Sequence, residues 1–215
     1  MLKKSQILFL VISIFLLISQ AEANLIQNGS FENASSNPGL FTTLVAGTAG
    51  STVITDWLVS SGSIDYIGTY WQASDGVRSI DLSGSSLGGI EVSQAITTVI
   101  GQDYMVTFDI AGNPDGPPDV KQLQITVDNS TFDFSFDKSG YSRTNMGWET
   151  KMFTFTATDI TTCLKFTSIL GDPGIDPYYG AALDNVSMEP IPEPCTGLLF
   201  FLGLLGIVGV KKKFS

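Results

Sequence analysis

Apolar and polar residues alternate along most of this chain with a period of two rather than 3.6. Tyr104, Val106, Phe108 and Ile110 alternate with Met105, Thr107 and Asp109, and Leu123, Ile125 and Val127 alternate with Gln124 and Thr126. Phe132, Phe134 and Phe136 enclose Asp133 and Ser135 in the cleanest run. Phe153, Phe155 and Ala157, then Leu164, Phe166 and Ser168, repeat the pattern. Alternation of this kind puts every second side chain on one face of a strand and leaves the other face polar. Turn chemistry bounds the runs, as in Gly101-Gln102-Asp103, Asn113-Pro114-Asp115-Gly116 and Asp128-Asn129. Earlier strands are expected over Val53 to Val59, Ser63 to Ile67, Val77 to Leu82 and Ile90 to Thr98. No stretch of this region has the period of an amphipathic helix, and no internal repeat is visible. Many short strands, each with one apolar face, predict an all-β protein: an antiparallel β-sandwich of the jelly-roll type.

Two apolar runs at the chain ends do not alternate. Lys3 and Lys4 precede the run Ile7 to Ile18, and Ala21-Glu22-Ala23 follows it, which predicts a signal peptide over residues 1–23 and a mature start at Asn24. At the other end Pro192-Glu193-Pro194 precedes the apolar run Leu198 to Val210, and Lys211-Lys212-Lys213 closes it. Thr196 to Val210 is 15 residues, short of the roughly 20 of a stable span. Basic residues at one end suit a transient anchor held lysines-inside. The order of these features resembles the PEP-CTERM sorting signal of Gram-negative bacteria, with Cys195 where that family usually has Ala. The resemblance implies an exosortase-type membrane protease as partner during export, and a mature protein at the cell surface or beyond it. The organisation expected is signal peptide 1–23, β-sandwich domain 24–190 and sorting segment 191–215.

Charge narrows the function. The whole chain carries −10, and its central domain holds six Lys and Arg against 19 Asp and Glu, close to −13. Phosphate contact needs clustered basic residues, so nucleic acid is excluded as a partner. The domain has one cysteine, Cys163, hence no internal disulfide, and it reads as a small buried hydrophobe. Gly84-Ser85-Ser86-Leu87-Gly88 matches the spacing of a hydrolase nucleophile elbow, yet the chain contains no His to act as base. The segment reads as a turn. Chemistry with paired carboxylates needs only Asp and Glu, but no pair stands out among 19 acids.

Asn24-Leu25-Ile26-Gln27-Asn28-Gly29-Ser30-Phe31-Glu32 opens the domain and Ala182-Leu183-Asp184-Asn185-Val186-Ser187 closes it. This pairing resembles the galactose-binding-like jelly rolls, among them many carbohydrate-binding modules. The resemblance implies first and last strands side by side, with a structural calcium where they meet. By position Glu32 and Asp184 would supply its carboxylates, as calcium takes six to eight hard oxygens. The alternative is that Glu32 caps a turn and Asp184 ends a strand. Trp57 to Gly84, with Gly112-Asn113-Pro114 further on, is similar to the choice-of-anchor C group and to the domain of unknown function 642 family known from plant cell walls. That resemblance covers nearly the whole domain and implies a surface protein with affinity for polysaccharide.

Trp57 lies in an apolar run and reads as core. Tyr70 and Trp71 are adjacent, so in an extended segment one points out where the other points in. An exposed ring of either would offer a sugar a flat face, with Asp75 and Arg78 as hydroxyl-binding neighbours. Asp65 and Asp81 are of the same kind, and Arg78 could instead pair with Asp81. The expected function is an exported, exosortase-processed surface or matrix protein with a non-catalytic carbohydrate-binding domain, associated with exopolysaccharide or biofilm. A structural or adhesive surface protein without a sugar site is the alternative. A glycoside-active enzyme is remoter.

Overall fold

The computed structural model describes residues 23–169 and 177–192. The expected signal peptide up to Glu22, the acid and second proline of Pro192-Glu193-Pro194, and the apolar run Leu198 to Val210 lie outside the described residues. Two antiparallel sheets hold nearly all the strands. One has six, in the order β1 (Phe41–Val45), β3 (Ser63–Ile67), β4 (Ser79–Asp81), β13 (Ala181–Pro190), β7 (Asp103–Gly112) and β10 (Glu149–Thr156). The other has five, in the order β2 (Trp57–Ser61), β5 (Gly89–Val92), β12 (Leu164–Ile169), β8 (Val120–Val127) and β9 (Ser130–Asp137). A two-stranded ribbon, β6 (Ile96–Thr97) with β11 (Thr161–Thr162), closes one end. Among the described residues no helix is long and apolar enough to cross a membrane.

The core forms where the inward phases of the two large sheets meet. Val106, Phe108 and Ile110 of β7 are fully buried, as are Leu123 and Ile125 of β8 and Leu164 and Phe166 of β12. Phe108 meets Phe166 edge-on at 5.7 Å, and Trp57 joins Phe166 at 6.3 Å and Phe31 at 5.0 Å. Each such side chain contributes about 1.5–3 kcal/mol by leaving water. Phe132 and Phe134 are only half-buried because β9 and β10 are edge strands facing one another across the opening of the sandwich. There Phe132 stacks on Phe153 at 4.2 Å.

Several local expectations change. β1 has no counterpart among the expected strands: four of its five residues are exposed, so its phase carries no apolar alternation. The run from Ile90 divides into β5 and β6, because the Ser93 N–H turns away to donate to the Asp56 carbonyl at 2.9 Å. The strand expected from Val53 starts at Trp57, after a short 3-10 turn over Ala49–Thr52. The opening segment does lie beside β13, but as irregular chain: the Leu25 N–H donates to Met188 O at 2.8 Å, and the Val186 N–H to Gly29 O at 2.9 Å. Positive φ at Asn28 and Phe31 breaks any ladder there. Cys163 is exposed, not a core residue.

Candidate functional site

Residues paired across antiparallel strands share a sheet face, so the registers define the outer surface of the six-stranded sheet. Thr43, Asp65, Asp81, Ala182 and Ala111 form one row across β1, β3, β4, β13 and β7. Asp184, Asp109 and Thr150 form the next row. Alternation thus brings four aspartates, Asp65, Asp81, Asp109 and Asp184, onto one face. The β3–β4 connection, residues 68–78, folds back over half of them.

That loop is held by carboxylates. Asp184 Oδ2 accepts the N–H groups of Ser74 and Asp75 at 2.8 and 3.0 Å, and Ser74 Oγ donates to Asp109 at 2.6 Å. Glu32 Oε1 accepts the N–H groups of Val77 and Arg78 at 2.7 and 2.8 Å. Gly76 is required between them: its φ is +64°, and a Cβ there would overlap the Glu32 carboxylate. Burial pushes Asp184 up to about 7, with Asp109 adding to the rise and the three backbone N–H donors opposing it. Glu32 and Asp184 therefore clamp the C-terminal half of this loop on either side of Gly76. Two carboxylates have the chemistry calcium takes, yet most of its six to eight oxygens would have to be carbonyls or water. No group of three metal-ligating side chains exists among the described residues.

The other half of the face stays open as a cleft of about 300 Å³. Its floor is Thr43, Asp65 and Asp81, and its walls carry Phe41, Tyr70, Asn113, Asp115 and Tyr178. Asp81 is sealed at the bottom. Its carboxyl accepts the N–H groups of Ser83 at 2.9 Å and Gly180 at 3.1 Å, and Asn113 Nδ2 at 2.7 Å. Burial pushes it up to about 8, so it is largely uncharged at neutral pH. Asp65 is raised by burial and steadied by the Thr43 hydroxyl, which donates at 2.6 Å. Below the walls, buried Lys121 donates to Gly116 O at 2.8 Å and Tyr179 O at 2.7 Å, tying two wall segments together. Burial pulls its amine down to about 8, against the pull of Asp81.

The expected aromatic pair separates. Trp71 is 5% exposed, its indole N–H donating to Ser79 Oγ at 2.9 Å, so it offers no face for stacking. Tyr70 is half-buried on the cleft wall, its hydroxyl donating to Asp115 at 2.8 Å. The Arg143 guanidinium lies 4.1 Å from its ring centre and donates to Asp115 at 2.9 Å. Asp75 is exposed on the clamped loop, outside the cleft. Arg78 does not pair with Asp81; it reaches Asn37 at 3.3 Å and lies over the Tyr66 ring. The Gly84 to Gly88 segment is a turn whose Ser85 and Ser86 hydroxyls meet Ser63 Oγ, with no helix behind it.

The family described as "Protein of unknown function (DUF642)" matches residues 24–189, which include the opening segment and the Trp57 to Gly84 stretch. The chain belongs to that family. Halomucin of Haloquadratum walsbyi is 37% identical over 181 residues, which is 82% of this chain and about 2% of the length of that protein. Two solved structures resemble the DUF642 domain in fold at low identity. A family 61 carbohydrate-binding module in complex with β-1,4-galactotriose has a TM-score of 0.47 at 13% identity, over 79% of this chain and 99% of that one. The CBM22-1 xylan-binding domain of Paenibacillus barcinonensis Xyn10C has a TM-score of 0.44 at 12% identity, over 82% and 99%.

Proposed function

We propose that this chain is an exported surface or matrix protein whose DUF642 domain binds polysaccharide without acting on it. The observation that supports this is the cleft. Aromatic rings of Phe41, Tyr70 and Tyr178 stand beside Asp65, Asn113 and Asp115, which is the mixture a sugar needs: apolar surface for its C–H face and acceptors for its hydroxyls. Asp65 and Asp81 face one another across β3 and β4, but Asp81 is fully buried and bonded by three donors. Such a carboxyl holds loops in place, and this favours binding over glycoside hydrolysis. The test is a panel of neutral and acidic polysaccharides offered to residues 24–189 by affinity electrophoresis. Retardation by at least one polymer is expected, weakened about ten- to thirtyfold in Tyr70→Ala and Asp65→Asn. Unretarded wild-type protein would hand the domain to a purely structural or adhesive role.

The reading includes export. An exosortase-type protease is proposed to recognise Pro192-Glu193-Pro194 and remove the apolar run, placing the domain at the cell surface, in exopolysaccharide or biofilm. Pro192 is exposed just beyond β13, where a protease can reach it. Intact mass of the surface form is expected to lack both ends, and alanines at the three signal positions to trap a membrane-bound precursor. Retention of Leu198 to Val210 in the wild-type surface form would refute it.

Calcium at the loop clamp is a separate proposal. An ion there would take carboxylate oxygens of Glu32 and Asp184 in exchange for the N–H donors they now accept. At tenfold excess over Kd it would stabilise the native state by about 1.4 kcal/mol, roughly 3–6 °C in Tm. Chelator-stripped protein is expected to gain that shift and Asp184→Ala to lose it. An unchanged Tm would leave the N–H clamp as the whole role of the two acids.

A further inference from the structure

The two ends of the sandwich differ in chemistry. β7 and β13 are ten residues each and run antiparallel side by side, spanning roughly 30 Å at about 3.3 Å per residue. The cleft lies at one end of this pair, since Asn113 and Asp115 follow β7 while Tyr178 and Tyr179 precede β13. The chain leaves the domain at the other end. There the Ile191 N–H donates to Asp103 O at 2.8 Å, and the Gln102 amide donates to the Ile191 carbonyl.

Around that exit three large aliphatic side chains stand in solvent: Val99, Ile100 and Ile160 are 65%, 62% and 64% exposed. They are neighbours in a fixed structure. The Thr98 N–H donates to Ile160 O at 2.9 Å, continuing the β6–β11 ladder, and the Val99 N–H donates to the Tyr104 hydroxyl at 2.9 Å. The Gly101 N–H closes the turn onto Ala157 O at 2.8 Å. Single exposed aliphatics need no explanation, but a cluster at one pole marks a surface that meets something apolar. Asp103 and Asp159 flank it, and no Lys or Arg occurs between Arg78 and Lys121.

We propose that this tip is a lipid-contacting surface of the unprocessed precursor, with the Val99–Ile100 turn and Ile160 seated among zwitterionic headgroups while the C-terminal run, before its removal, holds the chain at the membrane. The proposal rests on the anchor reading given above. Six residue steps separate Pro192 from Leu198, a reach of at most about 20 Å. A run embedded in the bilayer therefore keeps the apolar tip at the interface and turns the cleft outward. The flanking carboxylates and the missing cations make anionic lipid the poorer partner.

The test uses the full chain with Cys163→Ser and Cys195→Ser, reconstituted in phosphatidylcholine vesicles, with a polarity-sensitive dye on Ile100→Cys or Ser85→Cys. Unchanged melting of each labelled protein confirms that it is folded. Co-flotation with vesicles reports the anchor. Quenching by lipid-borne spin labels is expected to be several-fold stronger at position 100 than at position 85, and to weaken when phosphatidylglycerol is added. Chain that floats but is quenched equally at both positions overturns the tip contact and leaves the anchor standing. Chain that does not float overturns both. Dye–dye self-quenching at position 100 without lipid quenching would assign the tip to a second copy and also refute the proposal.

Discussion

Trp71→Ala is expected to cost about 3–5 kcal/mol of stability, whereas Tyr70→Ala, its immediate neighbour, is expected to melt close to wild type. Trp71 is the buried anchor of the β3–β4 loop at 5% exposure, with its N–H bonded to Ser79. Its truncation empties a ring-sized volume and releases the loop that covers Asp109 and Asp184. For a domain of this size the loss corresponds to roughly 6–20 °C in Tm. Tyr70 spends its surface differently. Its hydroxyl meets Asp115, its ring carries Arg143, and its edge meets Phe41 at 5.1 Å, all on the wall of the cleft. Its truncation is expected to move binding more than melting. Calorimetry of the two variants side by side decides the matter: equal losses of stability would make both rings core and remove Tyr70 from the site.

The sheets were legible because the strands that build them are half-buried. β8 and β12 bury every second residue, and β7 does so over its first half before both its faces are covered, so period two is written into their composition. β1 was not legible because an exposed edge strand has no face to hide. The site was legible only in part. Asp65 and Asp81 stand out as polar residues between apolar ones, but local alternation does not give the register that pairs them across the long β3–β4 connection, nor the distant strands β7 and β13 that bring in Asp109 and Asp184. Glu32 and Asp184 stand out only through the resemblance, as calcium carboxylates between the terminal strands, while the loop they hold is a run of backbone N–H groups that carries no side-chain signature. Lys121 did leave a signal. It occupies the inward phase shared by Leu123, Ile125 and Val127, where an ammonium is costly unless its hydrogen bonds are met. Phe41, Asp115 and Tyr178 come from separate loops or an edge strand, and only folding brings them to one rim, with Arg143 behind it on Tyr70 and Asp115.

Stability is expected to fall as pH rises from about 4 to about 8, the reverse of an ordinary surface carboxylate. Asp81 has its carboxyl pushed from 3.8 up to about 8 by burial, so between those values the native state keeps a proton that the unfolded chain has released. Stability then decreases with pH, by at most about 1.4 kcal/mol per unit for one group. Asp184, raised to about 7 chiefly by burial, acts in the same direction over the lower part of that window. Lys121, lowered to about 8 by burial, acts oppositely only between about 8 and 10.5, so the decline should level off there. Asp81→Asn keeps an acceptor for the Ser83 and Gly180 N–H groups but turns an amide toward Asn113, so it starts less stable at pH 5. Its diagnostic is the slope. Thermal melts from pH 4.5 to 8 should show a shallower decline than wild type, by up to one proton's worth. A wild-type curve that is flat or rising over that range would mean that Asp81 is ionised in its site, and the cleft floor would then carry two facing charges, Asp65 and Asp81.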